Sequence, residues 1–184
     1  MTALVAVAPY AFGLDFPLLF DDRMAVLEHP DVQGPLDLHA IFTHNAWGNP
    51  RDYPNIANYR PLSVLTLAAT RAISGSPLPF HAGNVGLHVA ACLLLLALAR
   101  RLGASAAAAT LAACWFAAHP VHVEAVMLAV NREEILVTLF CGALLWLAAP
   151  RTSLVPDVGS EPWPRRLTLA VALLGGLALL RRKK

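Results

Sequence analysis

Residues 80–99 read FHAGNVGLHVAACLLLLALA and contain no Asp, Glu, Lys or Arg. A helix rises about 1.5 Å per residue, so a stretch of this length extends about 30 Å, the thickness of the hydrocarbon core of a bilayer. Two arginines, Arg100 and Arg101, follow directly. We therefore predict a membrane-spanning helix that begins near Phe80.

Two further stretches, 102–123 and 135–150, are equally free of charged side chains. Each is long enough for a span, or for most of one. The predicted transmembrane core at 80–149 thus has three helices, which lie at about Phe80–Leu98, at about Ala104–Ala118 with a continuation through a turn at His119–His122, and at about Ile135–Ala149.

The two ends of the chain carry weaker apolar segments, which we interpret as partial spans. Residues 1–20 lack the basic start and small-residue cleavage site of a signal peptide, and they are interrupted by Pro9, Gly13, Asp15 and Pro17. Leu167–Leu180 has only 14 residues, and residues 167–184 end in a basic tail. We expect a truncated chain.

The composition excludes several classes of protein. The chain has 184 residues, of which 57% are hydrophobic and 14% charged, and its mean hydropathy of +0.56 is too high for an ordinary soluble enzyme or a disordered chain. No basic stripe alternates with aromatic residues, so nucleic-acid binding is not expected. The three cysteines lie inside apolar stretches and are expected to be buried: Cys92, Cys114 and Cys141.

Arginine placement predicts the orientation, because short loops rich in arginine stay on the cytoplasmic side. The arginines in question are Arg100, Arg101, Arg151, Arg165 and Arg166. Residues 150–166 are then a cytoplasmic linker, whereas a long loop at 21–79 and the turn at 119–134 share the extracytoplasmic side. Within that loop, residues 61–74 predict an amphipathic helix along the membrane surface, with an apolar face formed by Leu62, Leu65, Ala69 and Ile73.

Three groups of polar residues could carry chemistry. In the first, Asp21 or Asp22 could act as a general base, although the pair could also be a solvated segment end with Arg23 as its partner. In the second, two imidazoles, carboxylates and a guanidinium could bind an anionic phosphate: His119, His122, Glu124, Arg132 and Glu134. The alternatives for this group are a zinc site and a structural His–Glu network.

The third group consists of Arg60 and of three residues spaced by three and four: His81, Asn84 and His88. That spacing places the last three on one helix face, which we expect to look into the bundle. Hydrogen bonding between helices and a role in binding are both open for this face.

The order of these motifs resembles the N-terminal membrane region of the transmembrane and tetratricopeptide-repeat O-mannosyltransferases and their bacterial relatives, of the GT-C class. The resemblance covers about residues 12–145 and rests on eight separated motifs: Phe20-Asp21-Asp22-Arg23, Ile41-Phe42, Trp47-Gly48, Tyr59-Arg60-Pro61-Leu62, Phe80-His81, Asn84-Val85, His88, and His119 through Val126.

The resemblance implies an all-α, polytopic transmembrane helix bundle of GT-C type with a long extracytoplasmic first loop. It also implies transfer of a sugar, typically mannose, from a polyprenyl- or dolichyl-phosphate donor to a Ser/Thr hydroxyl of a protein acceptor. Asp21 and Asp22 match the family's acidic pair, where the base is expected, and Arg132 matches an arginine that follows the second external motif. Glu134 stands where the family has an aspartate.

A single inverting displacement fits these expectations, with the phosphate stabilised by Arg60, Arg132, His119 and His122. No cofactor is expected, and the need for a divalent metal is open. A non-catalytic membrane subunit that binds a polyprenyl lipid or a partner protein is the alternative. The alanine- and arginine-rich composition favours a bacterial inner membrane, with the site facing the periplasm.

Overall fold

The computed structural model of the chain describes residues 1–50 and 58–149, and the expectations for 150–166 and 167–184 lie outside the described residues. The described parts are helical and contain no strand, only an isolated bridge between His44 and Pro50. The α-helices are α1 (Thr2–Val7), α2 (Pro30–Gln33), α3 (Leu38–Thr43), α4 (Pro61–Ile73), α5 (Pro77–Arg101), α6 (Ala106–Ala118), α7 (Val123–Met127) and α8 (Arg132–Ala148). Shorter helical turns connect them at Ala8–Gly13, Arg23–Leu27, Pro120–His122 and Ala129–Asn131.

Helix α5 is the centre of the fold, and it packs against α1, α6 and α8. The three stretches predicted as helices at 80–149 are helical and correspond to α5, α6 and α8. Between α5 and α6 the chain reverses at Gly103, whose φ of +92° is a conformation that favours glycine. Residues 1–20, predicted as a partial span, contain α1, which packs against α5 and α6, and one further helical turn at Ala8–Gly13.

Among the described residues, α5 is the helix whose length and apolar composition suit it to cross a membrane. Helix α6 and the following segment Pro120–Met127 form a second candidate, which is bent by 49°. The bend follows Pro120, since proline removes a helical hydrogen bond. With 17 residues, α8 extends only about 26 Å, slightly less than the hydrocarbon core.

The helix predicted at 61–74 extends over Pro61–Ile73 as α4, and the apolar face predicted to lie along the membrane is not the face that packs against the protein. Ile73 is 83% exposed, whereas Val64, Leu67 and Ala68 are buried against α2, α3 and α5. Both faces carry apolar residues, so periodicity alone was ambiguous. Hydrogen bonds from Arg132 to Thr66 and Thr70 fix the rotation of the helix.

The segment before α4 folds onto the bundle and is not an extended loop. Asp37 caps α3 by accepting a hydrogen bond from the backbone N–H of Ala40, and His29 caps α2 in the same way. Apolar side chains of α2, of α3 and of the turn at Arg23–Leu27 form a common core with α4 and α5. This core contains Val26, Val32, Ile41, Val64, Leu67 and Phe80. Each such side chain, fully buried, stabilises the fold by about 1.5–3 kcal/mol. This core brings the segment that carries the acidic pair against the start of α8.

Candidate functional site

The two adjacent carboxylates of the acidic pair lie in different environments. Asp21 is exposed, whereas the side chain of Asp22 is buried, with 1% of its surface accessible. Phe20, just before them, has a φ of +52°, which is rare for a bulky residue. The chain therefore turns sharply at this point, and Asp22 enters the bundle while Asp21 stays at its surface.

Asp22 connects the first polar segment to the turn before α8. Its two carboxylate oxygens accept hydrogen bonds from the backbone N–H groups of Ala129 at 3.0 Å and Val130 at 2.7 Å. Burial raises the pKa of the Asp22 carboxyl, although these two hydrogen bonds act in the opposite direction. Asp22 is thus already fully engaged with the protein, and Asp21 is the carboxylate of the pair that a substrate can reach.

The polar face of α5 looks into the bundle, as its spacing predicted. The Nε2 of His81 lies 3.0 Å from the carbonyl oxygen of Phe16, and the Nδ2 of Asn84 donates to the carbonyl of Leu128 at 2.9 Å. One turn further along, the Nε2 of His88 lies 3.2 Å from the carbonyl of Ala117. All three side chains therefore make hydrogen bonds to other segments, and the Nδ1 of His81 is buried without a partner among the described residues.

Arg132, predicted to bind phosphate, is 2% exposed and directs its guanidinium into the bundle. Its Nε donates to Asn84 Oδ1 at 2.7 Å, and its two terminal nitrogens donate at 3.0 Å to three uncharged acceptors on α4 and α5. These acceptors are the Thr66 carbonyl, the Thr70 hydroxyl and the Phe80 carbonyl. Gly83 makes room for the guanidinium, because a Cβ there would lie 3.1 Å from Nη2.

Arg60 forms an ion pair with Glu133, which sequence reasoning did not single out. The Nη1 of Arg60 donates to Glu133 Oε1, and the hydroxyl of Ser63 lies 3.5 Å from Glu133 Oε2. On its other side, the Nε of Arg60 donates to Asn58 at 2.9 Å. The resemblance indicated Glu134, but the side chain of Glu134 is exposed. It is Glu133 that faces α4. The opposite charges at 60 and 133 were visible in the sequence, but nothing there paired them.

The histidines of the second motif lie at the end of α6 and in the turn that follows it. His119 ends α6, and its Nδ1 accepts a hydrogen bond from the N–H of Val121 at 3.2 Å. The ring of His122 lies 5.3 Å from that of His88 and 4.3 Å from that of Phe116. Glu124 is exposed. The two imidazoles of the predicted group are thus ring neighbours, whereas Arg132 of the same group lies with Asn84 and α4.

A groove of about 720 Å³ opens beside these rings. Its walls are apolar and come from α5 and α6, and its end is formed by the two histidines: Leu95, Leu111, Ala112, Trp115, Phe116, His119, Val121 and His122. Such a shape suits a ligand with a long apolar part and a polar end.

Seven of the predicted site residues fall into two groups, and the first group also contains Glu133, which was not predicted. The latch, as we call it, joins the segment before α5 to the start of α8 and comprises Asp22, Arg60, Asn84, Arg132 and Glu133. The imidazole group comprises His88, His119 and His122. Asp21, Glu124 and Glu134 are exposed outside both groups, and His81 is buried against Phe16. In residues 1–50 and 58–149, no cluster of three or more His, Cys, Asp or Glu side chains is arranged to hold a metal ion.

Three curated relatives show what the chain is similar to. It is 36% identical to Protein O-mannosyl-transferase Tmtc2 of Drosophila melanogaster over 78% of the chain and 16% of that protein. It is 34% identical to human Protein O-mannosyl-transferase TMTC4, over 74% of the chain and 20% of that protein. The identity is also 34% to Drosophila melanogaster Protein O-mannosyl-transferase Tmtc1, over 92% of the chain and 20% of that protein.

The chain therefore spans a fifth or less of the length of these relatives. No family model matches it, and no solved structure matches it. The aligned regions cover 74% to 92% of the chain. The chain belongs to the transmembrane and tetratricopeptide-repeat O-mannosyltransferase family.

Proposed function

We propose that the chain forms the part of a polytopic GT-C type glycosyltransferase that holds the catalytic base and the lipid-linked donor. The reaction is transfer of a sugar, mannose in the first instance, from a polyprenyl or dolichyl phosphate to a Ser/Thr hydroxyl of a protein acceptor. The names of the relatives support the transfer of mannose to protein. We place the protein in a bacterial inner membrane, with the site facing the periplasm.

The observation that carries the proposal is that Asp21 is exposed whereas Asp22 is buried and hydrogen-bonded to the backbone. A general base must reach the hydroxyl proton, so it needs an accessible carboxylate at a fixed place. Asp21 is accessible, and the neighbouring Asp22 is tied to Ala129 and Val130, so the backbone that carries Asp21 is anchored. We assign the base to Asp21 and the anchoring role to Asp22.

The groove between α5 and α6 supports a polyprenyl donor. Leu95, Leu111 and Trp115 offer the apolar walls that an isoprenoid chain requires. His119 and His122, at the end of the groove, can donate hydrogen bonds to a phosphate oxygen. The donor's sugar would then project towards the aqueous side.

The reaction is a single displacement in which one bond forms and one breaks. Asp21 takes the proton of the acceptor hydroxyl, and the acceptor oxygen bonds to the anomeric carbon of the sugar. The bond between that carbon and the phosphate oxygen breaks, and its electron pair stays on the lipid phosphate. His119 and His122, at the end of the groove, are the groups proposed to stabilise this negative charge.

The test is sugar transfer in membranes that contain the protein, supplied with polyprenyl-phosphate mannose and a Ser/Thr peptide. We expect Asp21→Asn to lower kcat by about 10²–10⁴-fold, which is the usual contribution of a positioned base. Asp15→Asn removes another exposed carboxylate of the same segment and should leave transfer unchanged.

Undiminished transfer by Asp21→Asn would overturn the assignment. If the unaltered protein binds the lipid phosphate but transfers no sugar, the non-catalytic lipid-binding subunit becomes the better account. The buried hydrogen bonds of Asn84 and Arg132 favour that alternative, because they give these side chains a structural role that needs no catalysis.

A further inference from the structure

Phe20, the residue before the proposed base, combines an unusual backbone conformation with high exposure. Among residues 1–50 and 58–149, it is the one residue other than glycine that has a positive φ, at +52°. A bulky residue rarely adopts this conformation, because its Cβ crowds the neighbouring carbonyl oxygen. Phe20 is nevertheless 82% exposed. Packing against the protein therefore does not explain why a phenylalanine stands at this position.

The turn around Phe20 would form more easily with a glycine. The carbonyl of Leu19 accepts a hydrogen bond from the N–H of Asp22 at 3.1 Å, which closes a tight turn with Phe20 at its second position. Where that position has a positive φ, glycine is the preferred residue, since it has no Cβ. Residues held in such conformations cluster at sites that bind or convert a ligand. The strained backbone thus indicates a ligand for the exposed ring.

The backbone that carries Phe20 is anchored on both sides. Leu18, two residues before, is 7% exposed and belongs to the apolar core below α4. Asp22, two residues after, is fixed by its two hydrogen bonds to the backbone before α8. Because consecutive Cα atoms are about 3.8 Å apart, a ligand at the exposed carboxylate of Asp21 lies within reach of the Phe20 ring.

We propose that the ring of Phe20 binds the sugar of the lipid-linked donor by packing against the C–H groups on one face of the pyranose ring. The inference rests on the proposed function, in which the anomeric carbon of this sugar meets the hydroxyl that Asp21 deprotonates. A pyranose ring has hydroxyl groups at its edge and C–H groups on its faces. The face of an aromatic ring carries partial negative charge and attracts such C–H groups, while the adjacent carboxylate can accept hydrogen bonds from the hydroxyls.

A ring at a fixed place suits the sugar better than the other molecules at this boundary. The sugar is the same in every reaction cycle, whereas the residues around an acceptor hydroxyl differ between acceptor proteins. Lipid tails are fluid, so a ring that only anchors the chain in a bilayer needs no particular backbone conformation. Phe12, which is 93% exposed in the same segment, indeed has no positive φ.

The test measures how much the sugar adds to the affinity of a donor analogue, without any transfer. The protein is held in detergent micelles and titrated by calorimetry with farnesyl phosphate mannose and with farnesyl methyl phosphate, a diester of the same charge that lacks the sugar. We expect the unaltered chain to prefer the mannose compound. Phe20→Gly should reduce this preference by about threefold to tenfold, the range for a contact of an aromatic ring.

Thermal melting separates a sugar contact from a structural role of the ring. Phe20→Gly relieves the backbone strain, so its melting temperature should not fall below that of the unaltered chain, although the preference for the sugar is lost. Phe20→Tyr keeps the ring and should keep the preference. Phe12→Ala, the matched control, removes another exposed ring of the same segment and should also keep it.

An unchanged preference in Phe20→Gly would overturn the proposal, as would an unaltered chain that binds both compounds equally. An equal loss of affinity for both compounds would assign the ring to the lipid part and overturn it as well. A melting temperature that falls together with the preference would show a structural role instead.

Sugar transfer is measured separately, so this inference and the proposed function can fail independently. Loss of transfer in Asp21→Asn with an unchanged preference in Phe20→Gly would sink this inference alone. Loss of the preference in Phe20→Gly with undiminished transfer by Asp21→Asn would support the sugar contact and overturn the assignment of the base.

Discussion

The two halves of α5 are held in place by different forces. In the first half, His81, Asn84 and His88 are buried and make directional hydrogen bonds to other segments. The second half, over 93–99, is a run of leucine and alanine that is partly exposed and makes only apolar contacts. Apolar contacts tolerate small shifts, whereas hydrogen bonds of buried groups do not. The first half therefore fixes the geometry of the fold, and the second half supplies the apolar surface.

The sharpest test of this comparison replaces one arginine near each half of α5. Arg132→Met leaves several buried acceptors without a donor, and we expect the free energy of unfolding to fall by about 2–4 kcal/mol. Arg100→Met, at the C-terminal end of α5, removes a single exposed hydrogen bond to the Ala104 carbonyl. This variant should change the free energy of unfolding by less than about 0.5 kcal/mol. Denaturant unfolding in micelles measures both, and equal effects would refute the comparison.

Replacement of Asp22 tests how much its two backbone hydrogen bonds to the turn before α8 stabilise the fold. Asp22→Asn keeps the size of the side chain, but its amide can accept only one of the two backbone hydrogen bonds. We expect a loss of about 1–3 kcal/mol in unfolding free energy, because one buried N–H group is left unpaired. Asp21→Asn, at the exposed neighbour, should change stability by less than about 0.5 kcal/mol. Similar losses in the two variants would show that the pair is not divided as described.

Alanine substitutions at two glycines of α5, Gly83 and Gly86, test how closely Arg132 approaches the backbone of this helix. A Cβ at Gly86 has nothing within 4 Å, so Gly86→Ala should stabilise the helix by about 0.5–1 kcal/mol. A Cβ at Gly83 lies 3.1 Å from the Arg132 guanidinium, so Gly83→Ala should lose this gain. Thermal melting compares the variants, and equal stabilisation by both would contradict the close approach of Arg132.

The smallest expected effect is the contribution of His29 to the pH dependence of the free energy of unfolding. Burial lowers the pKa of His29, whose Nδ1 accepts the N–H of Asp31 and whose Nε2 lies 3.1 Å from the carbonyl of Ala46. Because the unfolded chain takes up a proton near pH 6.5 and the folded chain resists it, stability should fall as the pH drops below about 6.5. Above that pH the contribution is complete.

The measurement is the unfolding midpoint between pH 7.5 and 5.5 for the unaltered chain and for His29→Gln. The slope that remains in His29→Gln belongs to other groups, and the difference between the two slopes belongs to His29. His39→Gln, at an exposed histidine, should keep the full slope. Identical slopes in the unaltered chain and His29→Gln would refute the assignment.

Sequence patterns predicted the long helices well, because apolar length and proline positions act locally. They placed α4 within one residue, and they placed His81, Asn84 and His88 on one inward face. They did not indicate that Val64 and Leu67 form the face of α4 that packs against the protein, because Leu62 and Leu65 follow an apolar helical spacing as well. They also missed Glu133, since adjacent residues of a helix point about 100° apart and only the partner shows which one faces inward.

The sequence by itself thus determined the helical class, the positions of α4, α5, α6 and α8, and the membership of a known family. Tertiary structure alone decided that Asp22 enters the bundle while Asp21 does not, and that Arg132 faces inward while Arg60 pairs with Glu133. The physical reason is distance along the chain. Asp22 meets its partners more than 100 residues later, and Arg60 meets Glu133 after 73, so no local pattern could encode these contacts.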